Sequence, residues 1–120
     1  MPIAMNSGVL FVITSDPRTD PRPAEAVRVA AGVGVWKKIT ATIYLRGAAV
    51  LALSEVPDTL VDGDNFSRYL PLVTESGGMI CAQRGAADLS RIGRASVRFH
   101  ETGDDELAAL AAKHQCVVHF

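Results

Sequence analysis

Val9-Leu10-Phe11-Val12-Ile13 is an unbroken apolar run rich in β-branched residues. A strand with one wet face alternates polar and apolar side chains, whereas a strand covered on both faces does not. The run therefore predicts a strand inside a sheet that carries helices on both sides. A polar loop follows, Thr14-Ser15-Asp16-Pro17-Arg18, and then Asp20-Pro21 as a helix start. Aspartate accepts hydrogen bonds from the free N–H groups of a first turn, and proline there gives up no bond it could have made. The helix is predicted over about Ala24 to Val33. Val27, Ala30, Ala31 and Gly34 share one face, small enough to lie close against a sheet.

The alternation of strand and helix continues along the chain. Thr40 to Leu45 reads as a second strand ending in Arg46-Gly47, with a short apolar helix over Ala48 to Leu53. Pro57 to Asp64 is a polar connection. Its Asp62-Gly63-Asp64 lacks the other ligand positions of a calcium loop and reads as a turn. Asn65 is expected to cap a helix that places Phe66, Tyr69, Leu70 and Val73 on one face, with Pro71 bending it and Gly77-Gly78 ending it. Met79 to Ala82 is the third strand, Ala86 to Ile92 a short helix, and the alternating Ser96 to His100 a fourth strand. Asp104, Asp105 and Glu106 put acids at the positive end of a helix dipole and start a helix over Leu107 to Lys113. Cys116 to Phe120 closes the series. Strands separated by helices need crossover connections, so the sheet is mostly parallel. The fold class is α/β: three layers, a five-stranded sheet with helices on both faces, flavodoxin-like in layering, with residues 1–120 as one domain.

Composition narrows the function classes. The chain has 120 residues, 48% of them hydrophobic and 21% charged, with a formal net charge of -1. A chain of this length buries roughly two thirds of its unfolded surface, so it needs neither disulfide nor metal to fold. The charge balance lacks the basic excess that neutralises nucleic-acid phosphates. The clusters Trp36-Lys37-Lys38 and Arg91 to Arg98 read as solvated surface, and no nucleic-acid partner is expected. Met1-Pro2-Ile3-Ala4-Met5-Asn6 lacks the pattern of a secretory signal, and Val9 to Ile13 is too short to span a bilayer. The expectation is a cytoplasmic protein, with no membrane role and both cysteines, Cys81 and Cys116, as free thiols.

In an open parallel sheet, ligands bind beyond the carboxyl ends of the strands. Three loops fall there: Ser15 to Arg18, Arg46-Gly47, and Cys81 to Gly85. The last holds a thiol. A thiolate at a strand end, facing a helix N-terminus with Arg84 three residues on, would have a lowered pKa. Gly85 would let backbone approach the sulfur. Such a thiolate suits attack on a sulfane or disulfide sulfur, leaving a persulfide or mixed disulfide. The alternative is a buried cysteine serving as a small hydrophobe. Cys116, on the same strand face as Val118 and Phe120, reads as core. His114, Cys116 and His119 match no zinc spacing, so no metal is expected, and His100 reads as surface. Thr14 to Arg18 lacks the glycines of a flavin phosphate loop. There is no P-loop or nucleophile elbow, and no cofactor is expected.

Three segments resemble the DsrE/DsrF-like family, which includes TusD-type sulfur-relay subunits. They are Val9 to Ile13 running into Ala24 to Ala31; Ile43-Tyr44-Leu45-Arg46-Gly47-Ala48-Ala49-Val50; and Glu75-Ser76-Gly77-Gly78-Met79-Ile80-Cys81-Ala82-Gln83-Arg84-Gly85. The family usually has a longer stretch between its cysteine and Arg-Gly than Ala82-Gln83. The resemblance implies that Cys81 is a sulfur-accepting cysteine; Arg84, Gly85 and Arg46, in the loops beyond the strand ends, are the candidate residues for binding its cargo. It also implies a homo-oligomer, trimer or hexamer, working between a sulfur-donor and a sulfur-acceptor protein. A non-catalytic oligomeric or partner-binding subunit of the same fold is the second reading, resting on the apolar segments Ala48 to Leu53 and Leu70 to Val73 as exposed surface. A third is a small-ligand or nucleotide binder using Arg18, Arg46 and Arg84.

Overall fold

The computed structural model describes residues 8–37, 39–55 and 59–120. The opening Met1 to Asn6, Lys38 of the first basic cluster and Pro57-Asp58 of the polar connection lie outside the described residues. The strands are β1 (Val9–Ile13), β2 (Ala41–Leu45), β3 (Met79–Gln83), β4 (His100–Thr102) and β5 (Cys116–His119). The helices are α1 (Arg22–Lys37), α2 (Asp64–Glu75) and α3 (Asp104–Ala112), with 3-10 helices over Gly47–Leu53 and Ala87–Arg91. The five strands form one sheet in the order β4-β3-β2-β1-β5. All four ladders are parallel. The layers are those expected, while the strand order differs from the 2-1-3-4-5 of flavodoxin.

The order explains the layers. From β1 to β4 the chain steps across the sheet in one direction, and right-handed crossovers put every intervening helix on the same face. The return from β4 to β5 runs the other way and carries α3 to the opposite face. Strand alternation then divides the core. Phe11, Ile13, Ile43, Leu45, Ile80 and Ala82 pack with Val27, Ala30, Ala31, Phe66, Leu70 and Val73 of α1 and α2. Leu10, Val12, Tyr44 and Cys81 face α3 through Leu107, Leu110 and Ala111. The α1 face is thickly covered. The other face is covered by a nine-residue helix in which no residue is fully buried.

Several elements sit differently from the sequence reading. The apolar segments Ala48 to Leu53 and Leu70 to Val73 are not surface: Ala49 to Leu53 are all buried, as are Leu70 and Val73. Asn65 lies inside α2, whose N-cap is Gly63, and its Nδ2 donates to the Ala24 carbonyl at 3.3 Å, tying α2 to α1. Helix α2 continues through Pro71 to Glu75. Ser96 to Phe99 precede the fourth strand rather than form it. There the Ser96 N–H donates to the Leu53 carbonyl at 2.9 Å, while Val97 and Phe99 pack on the main core. The period-two pattern is real, but Ser96 bonds to Leu53 and the ladder with β3 begins only at His100. Cys116 is exposed, because it opens an edge strand. Phe120, further along the same segment, does reach the core and stacks on Phe11 with ring centroids 6.1 Å apart.

Candidate functional site around Cys81

Cys81 lies in the middle of β3, and only 2% of it is exposed. Its register partners are Tyr44 on β2 and His100 on β4. All three positions point to the α3 side of the sheet, since registered neighbours in a parallel sheet share a face. An open groove of about 460 Å³ runs between the β3–β4 edge and α3, with Cys81 in its wall beside Met79, His100, Thr102, Glu106 and Lys113. The Cys81 sulfur is therefore on the face of the sheet, under α3, and not in a loop beyond the strand ends.

The electrostatics differ from the sequence expectation for the same reason. Strand β3 continues to Gln83, and the following 3-10 helix starts only at Ala87, so the helix after β3 does not present its N-terminus to the thiol. Burial pushes the Cys81 thiol above its ordinary value, the Thr102 hydroxyl pulls it partly back, and the Glu106 carboxylate pushes it up again. Desolvation outweighs the donor, because a charged sulfur loses more hydration than one hydroxyl returns.

The candidate arginines are near one another but not at the sulfur. Arg84 Nη2 lies 2.7 Å from Glu106 Oε1 and donates to the Glu101 carbonyl at 3.2 Å. Arg46 Nη1 lies 3.6 Å from Asp104 Oδ1. Both thus bind the acidic first turn of α3, where the helix dipole favours the acids as well. Glu106 also accepts the Gly103 N–H at 3.0 Å, and that bond, with Arg84, holds its carboxyl below the usual range. Arg18, in the first loop, is paired with Asp16 at 2.9 Å. These pairings leave no cluster of open guanidinium groups for a phosphate. Gly85 adopts φ +81°, and a Cβ added there would meet nothing within 4 Å. It serves the turn after β3 and brings no backbone to the sulfur.

Residues that the sequence reading did not place beside Cys81 complete the site. Thr102 and Glu106 act on the thiol, and Tyr44 stands beside it. His114 fixes the far end of α3: its Nδ1–H donates to the Leu110 carbonyl at 2.6 Å, leaving Nε2 to accept from the Thr42 hydroxyl at 2.8 Å. The alternating strand pattern could have placed Tyr44 and Thr42 on the Cys81 face once the register was known. Nothing local in the sequence marks Thr102 or His114. Among the described residues, no group of three His, Cys, Asp or Glu side chains is placed to hold a metal.

No protein-family profile matches the sequence, and no curated protein matches it. The fold is shared with the ychN protein from E. coli, known from a crystal structure. The TM-score is 0.77 at 17% sequence identity, over 95% of this chain and 99% of that one. The likeness establishes the fold, the DsrE-like five-stranded α/β architecture. Among the described residues, no helix is long and apolar enough to cross a membrane.

Proposed function

Starting from that shared fold, we propose that the chain is a sulfur carrier that accepts and passes on sulfur as a persulfide on Cys81. The observation that supports this most is a single free thiol in the wall of an open groove, with polar side chains from β4 and α3 around it. The Cys81 thiolate attacks the outer sulfur of a donor persulfide. The donor S–S bond breaks, the donor thiolate leaves with the electron pair and takes up a proton, and a new S–S bond remains on Cys81. An acceptor thiolate then repeats the attack and regenerates Cys81. No net oxidation or reduction occurs, so no cofactor is required.

The raised thiol pKa gives this site a particular character. A free Cys81 under α3 is mostly protonated and protected from small oxidants, which suits a cargo site that is activated when a donor docks. Helix α3 has no fully buried residue, and the open groove beside it gives docking a route toward the sulfur. Assembly as a homo-oligomer, trimer or hexamer, in a reducing cytoplasm belongs to the same proposal. Incubating the reduced protein with a sulfane-sulfur donor and weighing it intact tests the carrier chemistry. One added sulfur is expected, and Cys81→Ser should not acquire it.

A second reading, a non-catalytic partner-binding or oligomeric subunit, draws support from the same face. Met79 and Val117 are large hydrophobics that remain 40% and 38% exposed there. On this reading Cys81→Ser would leave assembly and cellular function intact.

A further inference from the structure

Among the described residues, the Tyr44 hydroxyl is the one buried side-chain polar atom with no hydrogen-bond partner. Tyr44 is 0% exposed. An unmade bond at such a position is costly, and a native protein keeps one where another group completes it. Burial pushes this phenol above its ordinary range and Arg46 pulls it partly back, yet no group completes a hydrogen bond of good geometry to it. Arg46 and Asp104 are occupied with each other.

The place of Tyr44 supplies the missing partner. It is the cross-strand neighbour of Cys81 and packs with it in the small cluster beneath α3. On the other side of Cys81, strand β4 presents the Thr102 hydroxyl, 5% exposed and in the wall of the same groove. Cys81 thus has a buried hydroxyl-bearing residue on each flanking strand, Tyr44 in register with it on β2 and Thr102 two residues beyond its register partner on β4. The Thr102 hydroxyl is engaged, acting on the thiol and donating to the His100 carbonyl at 3.4 Å, whereas that of Tyr44 is left over. A persulfide extends the side chain by one sulfur, which carries the negative charge and needs a donor where water is scarce.

We propose that the Tyr44 hydroxyl is the binding group for the outer sulfur of a Cys81 persulfide, donating to the sulfur anion from β2 while Thr102 serves the inner sulfur from β4. The inference rests on the carrier reading and names the group that distinguishes the loaded state from the empty one. Tyr44 takes part in neither bond making nor bond breaking. It holds the anion, lowers its proton affinity and shields it from stray thiols.

Tyr44→Phe is the test, because it removes an orphaned oxygen and keeps the ring. A structural tyrosine would lose stability, whereas this variant should melt no lower than wild type. Wild type and Tyr44→Phe are loaded with inorganic polysulfide, and persulfide retention is followed by intact mass in dilute thiol. A lost hydrogen bond to a charged sulfur shortens the lifetime about tenfold. In protein labelled with carbon-13 at the tyrosine ring, the Tyr44 resonance, assigned by its absence in Tyr44→Phe, should shift on loading. Equal lifetimes and an unmoved resonance in a wild type that does load overturn the Tyr44 assignment and leave the carrier reading standing. A wild type that gains no sulfur overturns both.

Discussion

The Arg84 guanidinium lies 2.7 Å from the Glu106 carboxylate and so serves the first turn of α3, not the Cys81 sulfur three residues before it in sequence. Glu106 in turn raises the thiol pKa. Burial raises that pKa most, and the carboxylate that Arg84 holds adds to it, with the opposite sign from an arginine acting alone.

Glu106→Gln follows directly. The amide oxygen can still accept the Gly103 N–H, but the negative charge is gone and Arg84 is released. The Cys81 pKa should fall, and alkylation at neutral pH should accelerate by about two- to fivefold, a modest factor because the charge is solvent-screened. Stopped-flow alkylation in a Cys116→Ser background measures it. An unchanged or slower rate would show that Glu106 does not govern the thiol.

The two thiols should separate by pH and by rate. Cys81 is buried with a raised pKa, whereas Cys116 is exposed. At neutral pH, Cys116 should react about tenfold faster or more, and the Cys81 profile should have its midpoint above the ordinary thiol value of about 8.5. The linked stability has a definite sign. Once pH passes the ordinary value, the unfolded chain loses this proton while the folded chain keeps it, so stability declines with rising pH until the folded pKa is reached. Chemical denaturation across that range should show the decline in Cys116→Ser and a flatter curve in Cys81→Ala/Cys116→Ser.

Two glycines test the packing that positions β3. A Cβ at Gly78 would lie 2.3 Å from the Ala41 carbonyl oxygen and 2.8 Å from that of Val73. Backbone cannot yield cheaply, so Gly78→Ala should cost about 2–4 kcal/mol by forcing overpacking where α2 feeds β3. Gly32 lies exposed within α1 and has nothing within 4 Å of the corresponding point. Gly32→Ala should stabilise the protein by about 0.5–1 kcal/mol through helix propensity. Thermal melts of the two variants should move in opposite directions.

The layers of this fold were legible because hydrophobic runs report burial on both faces. Val9 to Ile13, Ile43 to Leu45 and Ile80 to Ala82 are all inside the sheet, and Val27, Ala30 and Ala31 do form the close-packed face of α1. What misled was any pattern whose partner is distant in sequence. Ser96 to Phe99 alternate like a strand, but the Ser96 N–H goes to the Leu53 carbonyl and the ladder with β3 begins only at His100. Cys116 shares a face with Val118 and Phe120, yet an edge strand leaves its first residue in solvent. At the site, Cys81 could be picked out, but its surroundings could not. Arg84 is close in sequence and bonded elsewhere, while Tyr44, Thr102 and Glu106 arrive from β2, β4 and α3. Local reading weighs neighbours along the chain. A thiol in a parallel sheet is governed by neighbours across it.

The carrier account is tested most directly by locating the sulfur. Reduced protein is loaded with a sulfane-sulfur donor, capped with an alkylating agent, digested and sequenced by tandem mass spectrometry. The account predicts one extra sulfur on the peptide containing Cys81, transferable to an added acceptor thiol, with Cys116 capped as an ordinary thiol. Sulfur found only on Cys116, or shared equally between the two, would contradict it and leave Cys81 as a buried packing residue of a partner-binding subunit.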